Sequence, residues 1–220
     1  MNMKRTLLIT ASLCFALGTL AQKTRIGLTF SPTFGFLRVL DPAMVNEGVR
    51  AGFSYGLLID VRLDNNEHYA FSTGLLHSLT GGNVITTMED DSGKIQVITQ
   101  NLKPQYINIP LTVRLRTGEI GYITYYGQFG LNTGFMISPR QNITYEPDPD
   151  TLSGTNVKIE NRVIPILALQ IGAGIEYSLS GATALILGLY YDNGFTGLIN
   201  DKVHEKISLR NIGLRAGIIF

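Results

Sequence analysis

The last ten residues, Asn211 to Phe220, read NIGLRAGIIF, and taking every second one separates two faces. Ile212, Leu214, Ala216, Ile218 and Phe220 form an unbroken apolar face. Asn211, Gly213, Arg215, Gly217 and Ile219 form a mostly small or polar one that carries a full charge. A period of two is the period of a strand. A soluble β-sandwich hides such an apolar face and wets the other. A transmembrane barrel shows it to lipid and keeps Arg215 in its lumen. The other segments decide between them.

The pattern repeats. Alternating segments cover Arg25–Arg38, Ala51–Arg62, His68–Leu79, about Ile95–Arg116, Tyr122–Met136, Arg162–Ser178 and Ala182–Phe195, which with the last make eight. One face of these segments holds Ile, Leu, Val, Phe and Tyr and almost no charge. The other holds many glycines together with Asp60, Arg62, Asn108, Arg114, Arg116, Gln128, Asn132, Gln170, Glu176, Asp192 and Arg215. An exported lipocalin-like barrel also has eight strands, but its interior must be packed or hold an apolar ligand, so an interior this charged argues against it. Tyr55, Tyr69, Tyr125, Phe135, Tyr177 and Phe220 fall on the apolar face, most of them near segment ends, where two membrane interfaces would place them.

Connection lengths alternate as well. Asp64–Glu67, Thr117–Glu119 and Leu179–Gly181 read as short turns. LDPAMVNEG, Gly81–Lys94 and Ser138–Asn161 read as longer polar connections, and 200–206 as a moderate one. The fold expected is all-β, an eight-stranded antiparallel up-and-down transmembrane β-barrel over 22–220. Both termini and the short turns are then periplasmic and the long loops extracellular.

The first residues have the layout of an export signal. Lys4 and Arg5 form a basic region, Thr6–Leu20 an apolar one, and Thr19-Leu20-Ala21 a small-residue cleavage site, so residues 1–21 are expected to leave. The apolar stretch is short for a membrane anchor. Leu13 precedes Cys14, where a lipoprotein signal needs a small residue. Losing the signal removes the one cysteine and takes the net charge from +1 to −1. No disulfide, thiol nucleophile or cysteine metal site is then expected, no cofactor is implied, and no basic surplus points to nucleic acid.

The segment LKPQYINIPLTVRLR, Leu102–Arg116, followed by YGQFGLNTGFMISPR, Tyr126–Arg140, resembles the PorT-like outer-membrane β-barrel proteins of the Bacteroidota. The shared features are Tyr106, Ile109 and Pro110, then Gly127, Gly130 and Gly134, and finally Phe220 as the terminal barrel signal. The resemblance spans about Lys23–Phe220. It implies the fold and the bacterial outer membrane, with no common activity; some members serve a protein-secretion apparatus.

Chemistry in such a chain is expected to be structural. A lumen of eight strands is just wide enough to be filled by side chains. Asp60, Glu176 and Asp192 can neutralise Arg62, Arg114, Arg116 and Arg215 as an ion-pair plug. For an enzyme the histidines are badly placed. His68 lies beside a short turn, His77 and Ser78 point to opposite faces, and His204 lies in a loop. The chain therefore reads as a non-enzymatic barrel, structural or recognising partners through its outer loops. An auxiliary subunit of a secretion or assembly machine, and an outer-membrane enzyme or narrow pore, are the alternative readings. Expected partners are outer-membrane lipid, the barrel-assembly machinery during biogenesis, and an envelope protein met through loops 80–92 and 138–161.

Overall fold

A computed structural model describes residues 24–39, 44–63, 68–89, 95–146, 154–158, 165–197 and 207–220. The export signal expected over residues 1–21 lies outside them. Among the described residues thirteen strands are formed: β1 (Thr24–Arg38), β2 (Met44–Asn46), β3 (Arg50–Arg62), β4 (Tyr69–Leu79), β5 (Gly82–Glu89), β6 (Ile95–Leu102), β7 (Gln105–Arg116), β8 (Ile123–Ser138), β9 (Arg140–Glu146), β10 (Gly154–Lys158), β11 (Ile166–Ser180), β12 (Thr183–Gly194) and β13 (Ser208–Ile219). Eight of them close an antiparallel barrel in the order β1-β13-β12-β11-β8-β7-β4-β3. β1 pairs with β13 and β3, so the first strand seals the ring against the last and leaves no open edge in it.

Burial follows the alternation. On β1, Ile26, Leu28, Phe30 and Phe34 are exposed while Gly27, Thr29, Ser31 and Thr33 are buried. Because the exposed members are the apolar ones, this is the inverse of a soluble sheet. Aromatics gather at the two ends of the apolar band. Tyr122 and Tyr177 pack with ring centroids 6.1 Å apart beside the short turns. At the other end Phe53 stacks on Tyr55, which meets His77 edge-on at 5.2 Å. From Tyr69 to Leu79, which pairs with Phe53, β4 runs 11 residues. At about 3.4 Å per residue and a tilt of about 40° this is about 26 Å of height, which matches an outer-membrane apolar band.

Two of the short turns use glycine at positive φ, Gly121 at 67° and Gly181 at 58°, a backbone region costly for other residues. Pro110 leaves its own mark. The β4–β7 ladder runs unbroken to Ser72↔Thr112 and resumes at Leu76↔Asn108, and Pro110, with no N–H to donate, lies in the gap.

The structure corrects the expected long connections. Gly81–Lys94 contains β5, Ser138–Asn161 contains β9 and β10, and LDPAMVNEG contains β2. The single segment expected over Ile95–Arg116 is two strands, β6 and β7, separated at Lys103-Pro104. Together β10-β9-β6-β5-β2 make a second, five-stranded sheet. It continues the barrel wall rather than starting afresh. β4 with β7 pairs Leu79↔Gln105 and β5 with β6 pairs Gly82↔Leu102, so one antiparallel register runs through both. The physical reason is cheap: once a hairpin is in register, extending it past the membrane adds hydrogen bonds without a new loop closure.

Beyond the apolar band the sheet turns an apolar face to the barrel mouth. Val84 of β5 and Leu102 of β6 pack with Leu37, Tyr106, Met136, Ile166, Ile207 and Leu209, all buried. This is a core that closes the mouth. A smaller cluster, Tyr126, Ala184, Ile186 and Ile219, lies toward the short-turn end of the lumen.

Candidate functional site

Between those clusters the lumen holds polar side chains in a continuous network. Nearest the short turns, Arg114 donates to Asp60 at 2.6 Å and lies 3.4 Å from Glu176. Arg116 meets the same two acids at 2.6 and 3.0 Å. Arg25 adds a third cation, 2.5 Å from Glu176, and Ser72 donates to Asp60 at 2.6 Å. Asp60 and Arg114 are completely buried, so neither charge is left to water. At this end of the lumen Arg62 lines a pocket together with Arg25, Arg116, Glu176, His68 and Glu119.

Gln128 links this layer to the next. Its Oε1 accepts from Arg114 at 3.1 Å and from Arg215 at 3.0 Å, and its Nε2 donates to Gln170 at 3.2 Å. Gln170 donates to Asp192 at 2.7 Å, and Asn132 donates to the other carboxylate oxygen at 3.0 Å. Above them Asn108 donates to Ser78 and Thr80 to Asn211. Of the residues that alternation assigns to this face, Asp60, Arg114, Gln128, Gln170, Glu176, Asp192 and Arg215 are buried in the lumen, while Arg62 and Arg116 at the short-turn end and Asn108 toward the mouth are half-buried.

Besides the serine, threonine and asparagine partners already named, Arg25, Tyr126 and Tyr190 also lie outside that set. Arg25 continues the parity of Gly27 and Thr29, so alternation alone identifies it. Tyr126 and Tyr190 also have the inward parity, but their work is set by tertiary contact. The Arg114 guanidinium lies 4.6 Å from the Tyr126 ring centre, and that of Arg215 lies 4.9 Å from Tyr190. Each ring lies over glycine. A Cβ on Gly213 would overlap the Tyr190 ring, and one on Gly188 the Tyr126 hydroxyl.

That packing carries a prediction. Gly213→Val drives two methyl groups into the Tyr190 ring, and overpacking of this kind costs about 1–3 kcal/mol. The expected result is a lower temperature at which the barrel loses its compact mobility on a denaturing gel. Tyr190→Ala in the same chain recovers part of the loss. An unchanged midpoint for Gly213→Val would show that the ring has room to move.

The resemblance motif is divided among different tasks. Tyr106 belongs to the core under the second sheet, Pro110 is buried in the wall, and Ile109 is partly exposed on the apolar side. Gly130 lets the Leu111 carbonyl approach closely, and Gly134 sits beside the Asn108 amide. Gly127 pairs with Leu115 and Ala173, and Phe220 bonds with Ile26 through both its backbone groups. Of the histidines, His77 faces outward, 3.3 Å from Gln105. Among the described residues no group of three His, Cys, Asp or Glu is placed to hold a metal ion. His204 lies outside the described residues.

Residues 20–200 match the family described as "Outer membrane protein beta-barrel domain". No curated protein sequence matches the chain. Similar solved structures include Neisserial surface protein A, at 13% identity and a TM-score of 0.49, with 88% of this chain and 95% of that one covered. Ail of Yersinia pestis, the attachment invasion locus protein, aligns at 13% identity and 0.40, covering 90% and 99%. The N-terminal β-barrel domain of Pseudomonas aeruginosa OprF aligns at 16% and 0.38, covering 88% and 97%.

Proposed function

The chain belongs to the outer membrane protein beta-barrel domain family, and from that premise we propose that it is a recognition barrel, presenting its second sheet to an envelope or external protein. The carrying observation is that sheet. Its lumen-side face is spent on closing the mouth, while Val45, Val49, Ile95 and Val157 remain exposed beyond the apolar band. β2 and β10 are its open edges, and open edges accept a further strand. The filled lumen argues against transport, because a solute would have to displace paired charges.

In this reading the short turns and both termini are periplasmic and the second sheet is outside the cell. Short turns inside and long extensions outside is the usual arrangement of such barrels. Tyr106, Ile109, Pro110 and the glycine-spaced β8 support kinship with the PorT-like branch.

The test is copurification from native membranes in mild detergent, comparing the full chain with one lacking 147–158, which removes the whole of β10. Both should reside in the outer membrane and keep the heat-dependent gel shift of a closed barrel. Only the full chain should retain its partner. Recovery of the full chain as a soluble periplasmic protein sinks the reading. Copurification with a large complex whose export function fails without this chain would replace it by the machine-subunit reading.

A further inference from the structure

Where the wall passes from barrel to second sheet, its outer surface holds a cleft of about 280 Å³ lined by Arg50, Lys103 and Arg140 together with Phe53, Gln105 and Asn156. Three cations line it and, among the described residues, no carboxylate does. Arg50 is held in place: its guanidinium donates to the Asn101 side chain and, at 3.1 Å, to the Leu102 carbonyl. Lys103 and Arg140 are neighbours across the β6–β9 ladder, with the Lys103 N–H donating to the Arg140 carbonyl at 2.8 Å. Like charges opposite each other weaken a sheet, and an anion between them removes that cost.

The depth of the cleft identifies the anion. Phe53 forms part of its floor and belongs to the aromatic girdle with Tyr55 and His77, while Gln105 contacts His77 directly. A girdle of this kind lies at headgroup level, so the three cations stand where lipid phosphates are. We propose that this cleft binds the phosphate of a membrane lipid headgroup on the side of the second sheet, with Arg50 as the fixed donor and Lys103 and Arg140 closing on the remaining oxygens. The inference rests on the membrane setting of the barrel and not on the protein partner proposed above. Loss of the partner and loss of the lipid are therefore read separately.

The test is native mass spectrometry of the full chain in detergent, titrated with a bisphosphorylated lipid A and with phosphatidylcholine. Lipid A, whose phosphates carry negative charge that no choline cation balances, should be retained at least about 10-fold more tightly. Removing two cations in Lys103→Gln/Arg140→Gln should weaken it about 30-fold, the conversion of about 1 kcal/mol per charge. Arg38→Gln, which removes an exposed cation outside the cleft, should change it less than twofold. The heat-dependent gel shift checks that each variant is folded. If the double variant does not fold, Arg140→Gln alone should cost about fivefold. Equal retention by the cleft variants, or an equal loss in Arg38→Gln, overturns the proposal. So does displacement of the lipid by millimolar inorganic phosphate, which would make the ligand a soluble anion.

Discussion

Asp60→Asn is expected to destabilise the barrel more than any other single substitution in its lumen. Asp60 is completely buried and receives Arg114, Arg116 and Ser72. Replacing it by an amide leaves Arg25, Arg114 and Arg116 to share the single charge of Glu176. Breaking a buried pair from one side costs about 3–5 kcal/mol, because the surviving charges stay buried without compensation. Arg215→Met should cost less. Arg215 has a bond to Gln128 and a tyrosine ring beneath it, and its removal takes away a buried charge instead of stranding one. The measurement is the midpoint of the heat-dependent gel shift for each variant in the same detergent. Asp60→Asn with Arg116→Met should recover part of the loss, since one stranded cation goes with its partner. Equal midpoints for Asp60→Asn and Arg215→Met would mean that water reaches the lower layer and screens it.

The barrel was legible because lipid enforces a strict rule. A residue facing hydrocarbon cannot be charged, so each spanning strand sorts its residues cleanly, and parity alone brings Asp60, Arg114, Arg116 and Glu176 to one interior. The second sheet is not under that rule. In Gly82–Glu89, Val84 and Thr86 face one way while Asn83, Ile85 and Thr87 face the other. One face looks on a half-covered mouth and the other on water, so both are mixed and the segment reads as a polar connection. At Lys103-Pro104 the register passes straight from β6 to β7. Hydrophobic alternation therefore hides the boundary, and only the proline hints at it. The aromatic stacking of Arg114 and Arg215 was also out of reach. It depends on which glycine lies across the barrel from which tyrosine, and that is a property of closure.

Leu102→Asp separates the two sheets' contributions. Leu102 is 1% exposed at the centre of the core that joins the second sheet to the barrel mouth. A carboxylate there has no partner in that apolar cluster, and burying it would cost several kcal/mol, more than the local packing supplies. The sheet should therefore leave the mouth while the eight-stranded ring, whose ladders close on themselves, stays folded. Limited proteolysis should then cut within 82–102 at least about tenfold faster than in the unaltered chain, with the heat-dependent gel shift retained. Loss of the shift would instead mean that sheet and barrel fold as one unit. The same variant tests what blocks the lumen. Below the apolar core the network from Asn132 through Asp192, Gln170 and Gln128 to Arg114 crosses the bore. Opening the mouth should therefore produce no sustained current in a planar bilayer, from this variant or from the unaltered chain. A current in Leu102→Asp alone would make the second sheet a gate over a conducting lumen, because side chains that fill the bore by their own packing have no need of a cover to stay closed.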